Sequence, residues 1–318
     1  MQVSASAAPK MRSKAALLLA AVLVAGCGQE AKAPAEPGMV QIPAGEFVMG
    51  SNKTDERGLQ KEYGFVNPLF VDEHPPHKVS VAAFAIDQYE VGNARYKAFV
   101  LATRHPEPAA WVQNGYNVRD EKLRSFGIDM LRRAATDYFR LDRDTTVMSR
   151  EELLAELDRI QKSRDQLPVT EVSWGDANKY CAWAGKRLPT ESEWEMAARG
   201  TKGLEYPWGN EFDAKKMNSG QGREEEDAVA PVGSYPADRS PYGVQDMAGN
   251  VSEWTSDWYQ PYPGADYRSQ FYGQIRKVVR GGSASAGHYQ LSFFYRGALR
   301  GHMDPATASP DLGFRCAK

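Results

Sequence analysis

Between residues 200 and 250 the chain turns faster than any regular element can grow. Pro207-Trp208-Gly209-Asn210, Asn218-Ser219-Gly220, Pro231-Val232-Gly233 and Asp246-Met247-Ala248-Gly249-Asn250 follow one another closely. Gly, Pro, Asn and Asp are the residues that tight turns demand. A stretch this long inside a compact domain is not fixed by helix or sheet ladders, so metal ions, disulfides or buried side chains must hold it. The second half of the chain holds the main core, because six of the seven tryptophans fall between Trp174 and Trp258.

Regular elements flank this stretch. Residues 39–50 read as a short strand, a Pro43-Ala44-Gly45 turn and a second strand. Residues 78–86 alternate in the β manner through Val79, Val81, Phe84 and Ile86, and residues 93–101 read as a helix with Tyr96, Phe99 and Val100 on one side. Across residues 102–166 the composition shifts to Arg, Asp and Glu, which predicts a mostly helical insertion. Its clearest helix starts at the capping box Ser149-Arg150-Glu151-Glu152, ahead of Leu153, Leu154, Leu157 and Ile160. A further helix runs from Ser173-Trp174 to Ala184. Thr190-Glu191-Ser192-Glu193 caps another that reaches Arg199. The prediction is an α+β domain with little regular structure.

The first residues look like an address. Met11-Arg12-Ser13-Lys14 begins a better signal than Met1, and residues 15–24 form an apolar run too short for a bilayer anchor. Leu23-Val24-Ala25-Gly26-Cys27 looks like a lipobox, so residues 1–26 read as a signal peptide, Cys27 as an acylated residue and residues 27–38 as a tether. Gly28 does not resemble the aspartate that retains such proteins in the inner membrane, which points to the outer membrane, facing the periplasm. The competing reading is an ordinary cleaved signal with a chance cysteine. A net charge of −2 gives no reason to expect nucleic acid. In an oxidising compartment the remaining cysteines, Cys181 and Cys316, invite a disulfide, with two buried free thiols as the alternative.

Several motifs then follow in order: IPAGEFVMGS, FAIDQYEVGNARYKAF, PVTEVSWGDANKYCAWAGKRLPTESEWEMAARG, DMAGNVSEWTSDWY, VVRGGS and LGFRCAK. Together they resemble the formylglycine-generating enzyme (sulfatase-modifying factor) family over residues 39–318, interrupted by the insertion. The resemblance implies that family's fold, distantly C-type-lectin-like. It also implies two copper(I)-binding cysteines, since soft thiolates suit that ion. Those positions fall at Gly287 and Ser292, and Ser252 replaces a tryptophan common in the family. Copper is therefore not expected.

Structural calcium is expected from the resemblance, with Asp246, Glu253 and the Gly249 and Val251 carbonyls as ligands, because hard oxygens suit that ion. A second site would use Asn218, Asp227 and the Ser219 and Val229 carbonyls, where the acidic loop is rewritten as Arg223-Glu224-Glu225-Glu226-Asp227. The family also pairs cysteines at positions 181 and 316. Ser283, His288, Tyr289, Tyr295, Arg296 and Arg300 are the groove candidates, suited to an anionic or peptide ligand. An iron site from His288, His302 and Asp304 is an unsupported alternative, and the His74-Pro75-Pro76-His77 pair is weaker still.

The functional expectation is a re-purposed envelope protein that binds a peptide, protein or small molecule without copper. An oxidoreductase using another metal is the alternative. Formylglycine generation on sulfatases is disfavoured.

Overall fold

The computed structural model describes residues 38–66, 68–222, 228–289 and 291–318, the side chains of residues 287–289 excepted. The signal segment, Cys27, the tether up to residue 37, Asp227 and the His288 and Tyr289 side chains lie outside the described residues.

Strands β1 (Met39–Ile42) and β2 (Gly45–Met49) are consecutive but do not pair with each other. β1 runs antiparallel to β4 (Phe84–Asp87), with Met39 opposite Asp87. β2 runs antiparallel to β3 (His77–Val81), with Gly45 opposite Val81. The alternation at 78–86 therefore divides into two strands in two sheets. β4 is buried at every position because residues 316–318 cover its other edge. Ala85 N–H donates to the Lys318 carbonyl at 3.0 Å, Lys318 N–H to that of Ala85 at 2.8 Å, and Asp87 N–H to that of Cys316 at 2.8 Å.

A third sheet has the order β7-β6-β5-β8, formed by β5 (Ser252–Trp258), β6 (Lys277–Arg280), β7 (Arg300–Met303) and β8 (Leu312–Gly313). β5 and β8 are parallel, with Ser252 opposite Leu312; the other pairs are antiparallel.

Helix α1 (Leu59–Tyr63) is a single turn, whereas α2 (Asn93–Thr103) buries Tyr96, Phe99 and Val100. Residues 102–166 contain α3 (Ala109–Asn114), which sends Trp111 into the main core, and α4 (Asp120–Ser125), α5 (Ile128–Asp137) and α6 (Arg150–Arg164), which surround a small core of their own. Leu123, Leu131, Phe139, Leu153 and Leu157 fill that core. Capping boxes start α6 at Ser149/Glu152, α7 (Trp174–Trp183) at Ser173/Asp176 and α8 (Glu191–Arg199) at Thr190/Glu193. Each box satisfies two N–H groups that a helix start leaves orphaned.

The main core gathers Tyr96, Tyr180, Trp254 and Phe314, and a second core gathers Ile86, Trp194 and Met196. In the main core Cys181 and Cys316 are joined by a disulfide, both fully buried and 135 residues apart in sequence. The turn-rich stretch is held by a buried amide. Asn250 Nδ2 donates to Glu90 Oε1 at 3.1 Å, while its Oδ1 accepts from Asn218 Nδ2 and Ala230 N–H, both at 2.9 Å. These bonds do for the loop what a ladder does for a sheet. No helix among the described residues is long and apolar enough to cross a membrane.

Candidate ligand groove and its buried ion pairs

β6 delivers the chain into the Gly281-Gly282 turn. Gly281 takes φ +77°, a region that side chains disfavour. A Cβ on Gly282 would lie 2.4 Å from the Phe294 carbonyl oxygen and 2.7 Å from that of Ala248, so no larger residue fits without movement. Beyond the turn, 3₁₀ segments Ala284–Tyr289 and Ser292–Tyr295 shape the loop. Gly287 and Ser292, the two copper positions, lie in these segments and offer no thiolate.

A cavity of about 470 Å³ opens beside this loop, lined by Phe70, Asp72, Ser252, Ser283, Arg300 and Asp311 among others. Ser283 is placed as expected, and its hydroxyl donates to Asp311 Oδ2 at 2.9 Å. Three of the groove candidates are not free to serve a ligand.

Arg300 lines the cavity, but its fork is closed on Glu191. Nε reaches Oε1 at 2.6 Å and Nη2 reaches Oε2 at 3.0 Å, while Nη1 donates to the Asp72 carbonyl at 2.8 Å and Nη2 to that of Gln260 at 3.1 Å. Arg296 is buried and clamps Glu73 at 2.8 and 2.9 Å and also bonds Glu205. Tyr295 is buried against Met217 and Ala248. Arg296, Arg300 and Tyr295 are thus engaged in scaffold contacts, the alternative to an anionic ligand that arginine and tyrosine beside a groove always leave open. A guanidinium buried this deeply needs a carboxylate more than it needs a substrate.

These ion pairs form a wider network. Arg280 bridges Glu191 at 3.1 Å and Glu195 at 2.6 Å, and Arg199 also holds Glu195. Burial alone would raise the Glu191 carboxyl, but Arg300 and Arg280 hold it below the usual range. Burial raises the Asp72 carboxyl despite the opposing pull of Arg300.

The residues expected to bind calcium lie in a second buried acidic cluster. Glu253 is already held by Arg315, with both carboxylate oxygens at 2.7 Å, and Oε2 also accepts from Trp194 Nε1 at 2.9 Å. Asp246 Oδ2 accepts from Gly233 N–H at 2.6 Å. Glu90 and Asp238, which motif reading missed, complete the set. Burial, reinforced by the Asp246 charge, pushes the Asp238 carboxyl up to about 8 and Glu90 well above its ordinary range. Glu90 Oε2 and Asp238 Oδ1 are buried without a hydrogen-bond partner. Acidic oxygens left unsatisfied by a single guanidinium fit a hard cation in kind. No group of three or more His, Cys, Asp or Glu among the described residues converges as a metal set. An ion here would therefore depend on the Gly249 and Val251 carbonyls as well.

At the second expected site the Asn218 amide is engaged in the loop. Nδ2 donates to the Ala228 carbonyl at 2.7 Å, and Oδ1 accepts from Gly220 N–H at 3.1 Å. The Ser219 carbonyl faces the Tyr295 hydroxyl at 3.5 Å, and Val229 is half-buried.

Of the iron trio, the His288 side chain lies outside the described residues. His302 packs its ring on Tyr259 and Phe271, with centroids at 4.3 and 5.0 Å, whereas Asp304 faces Arg276 at 3.7 Å. Burial, and then the charges of Arg276 and Arg300, depress the His302 imidazole to about 4. His74 and His77 bond separate backbone carbonyls, those of Lys53 and Pro75. The cavity residues that motif reading missed are Asp72 and Asp311. An acidic residue directly before the buried strand LGF was the available signal for Asp311.

The sulfatase-modifying factor enzyme 1-like domain matches residues 25–318. The formylglycine-generating enzyme of Streptomyces coelicolor is 36% identical over 314 residues, covering 91% of this chain and 92% of its own length. The inactive C-alpha-formylglycine-generating enzyme 2 of Bos taurus is 37% identical over 296 residues, covering 88% and 87%. Among solved structures, PvdO from Pseudomonas aeruginosa shares the fold at a TM-score of 0.56 and 24% identity, over 88% of this chain and 94% of that one. With its motifs in order on this α+β scaffold, the chain belongs to the formylglycine-generating enzyme family of sulfatase-modifying factor domains.

Proposed function

We infer that this family member binds a ligand in the groove and does not generate formylglycine by the copper-dithiolate route. The observation that carries this reading is the absence of thiols from residues 38–318. Positions 287 and 292 are glycine and serine, and Cys181 and Cys316 are consumed by their disulfide. Copper(I) would find no soft ligand pair there. The kept Gly-Gly turn and the open cavity support retention of binding. A relative 37% identical carries the name inactive C-alpha-formylglycine-generating enzyme 2, which is in keeping with this reading.

The test is reconstitution of purified protein with copper(I) and a peptide of CxPxR type. No aldehyde is expected, and enzyme-like formation of formylglycine would overturn the reading. Metal analysis of the same protein is expected to find calcium without stoichiometric copper or iron. Bound stoichiometric iron would favour an oxidoreductase instead. Calcium is proposed at the acidic cluster, where Asp246, Glu253 and the Gly249 and Val251 carbonyls would hold it and neutralise the buried charge. Export is proposed from Leu23-Val24-Ala25-Gly26-Cys27, with acylation of Cys27 anchoring the protein to the outer membrane. Cys27→Ser is expected to abolish acyl labelling and release the protein from membranes, and unchanged attachment would refute the anchor.

A further inference from the structure

Among the described residues the charges around the cavity balance except at one point. Arg199, Arg280 and Arg300 are matched by Glu191, Glu195 and Asp72, and Arg296 and Lys53 by Glu73 and Glu205. Asp311 has no such partner among the described residues. Its Oδ1 accepts the Ser309 hydroxyl at 2.5 Å and its Oδ2 accepts that of Ser283 at 2.9 Å. Both are neutral donors.

The sheet fixes this carboxylate in place. Ser252 N–H donates to the Asp311 carbonyl at 2.9 Å, at the point where β5 and β8 begin their parallel pairing. Ser252 lines the same cavity and turns its hydroxyl back to the Gly281 carbonyl at 3.1 Å. The small Ser252 side chain lines the cavity together with Asp311, so the space there is not filled by a large residue at position 252. Phe293 and Tyr267 line other parts of the cavity with aromatic surface. A half-buried carboxylate without a counter-charge, facing room and aromatic rings, favours a positively charged guest.

We propose that the Asp311 end of the cavity binds a cationic organic group, an ammonium or guanidinium carried on an apolar body. Asp311 supplies the counter-charge, Ser283 orients the carboxylate, and Ser252 provides the space. The proposal rests on the reading of the groove as a ligand-binding site.

Benzylamine and benzyl alcohol, nearly equal in shape and different in charge, test it by calorimetry on the intact domain. Benzylamine is expected to bind at least about tenfold more tightly, and rising salt should erode that preference. Asp311→Asn should bring the two within roughly threefold. Ser252→Trp should remove binding of both while the circular dichroism spectrum is kept. The salt response of the unaltered protein tests the charge pairing even if a variant fails to fold. Equal affinity for the two probes, no binding of benzylamine, or a preference that survives Asp311→Asn would overturn the proposal. Copper-dependent aldehyde formation would instead remove the underlying reading, and the two failures are distinguishable because the probe assay uses no copper.

Discussion

Replacing Arg300 by methionine separates a scaffold arginine from a ligand receptor. Its guanidinium holds both oxygens of Glu191 and the carbonyls of Asp72 and Gln260, and it stacks 4.0 Å above the centre of the Tyr262 ring. Breaking a buried ion pair costs about 3 kcal/mol at the low end of the usual range. The two orphaned carbonyls add roughly 1 kcal/mol each, for about 5 kcal/mol in all. For a domain matched over residues 25–318, an unfolding entropy of about 2 cal/mol/K per residue makes this a fall in Tm of roughly 8 °C. Arg300→Lys should fall between methionine and the unaltered protein, because an ammonium keeps the charge but cannot fork. Scanning calorimetry with circular dichroism reads both changes. If Arg300→Met melts within about 1 °C of the unaltered protein and loses only ligand affinity, the structural assignment is wrong.

Three further outcomes are expected. Removing the disulfide with Cys316→Ser should cost about 5 kcal/mol in the loop-entropy picture, read by urea unfolding, and neither cysteine should alkylate before reduction. Chelation should lower the melting temperature of the unaltered protein and leave Asp246→Asn insensitive; equal responses would argue against a cation at the acidic cluster. His302 carries a depressed pKa, so its stabilising contribution is present above about 6.5 and is lost as pH falls towards about 4. Acidification through that window should therefore destabilise the unaltered protein more than His302→Gln, and parallel profiles would contradict the buried neutral imidazole.

Local signals were read well because local chemistry wrote them. The capping boxes at Ser149 and Thr190 start helices where they stand, since the bonds they make span three residues. Strand pairing was not legible in the same way. Nothing in residues 39–50 reveals that β1 and β2 take different partners, because those partners are far along the chain. The Gly281-Gly282 turn and Ser283 were visible through the family resemblance. The roles of Arg296 and Arg300 were not, because a guanidinium near a groove looks the same whether or not a distant glutamate has claimed it. Asp311 escaped notice for the opposite reason, since its significance lies in a counter-charge that is missing. Motifs report what is present.

The zipper between β4 and residues 316–318 has a consequence for the newborn chain. Asp87 Oδ2 accepts the Cys316 N–H across 229 residues of sequence, and Phe314 enters the core beside Tyr96 and Tyr180. A nascent chain lacking residues 312–318 can wind its helices but cannot close its main core, and Cys181 has no native partner. Folding must therefore wait for the last strand to emerge, and the early segments remain open for most of synthesis.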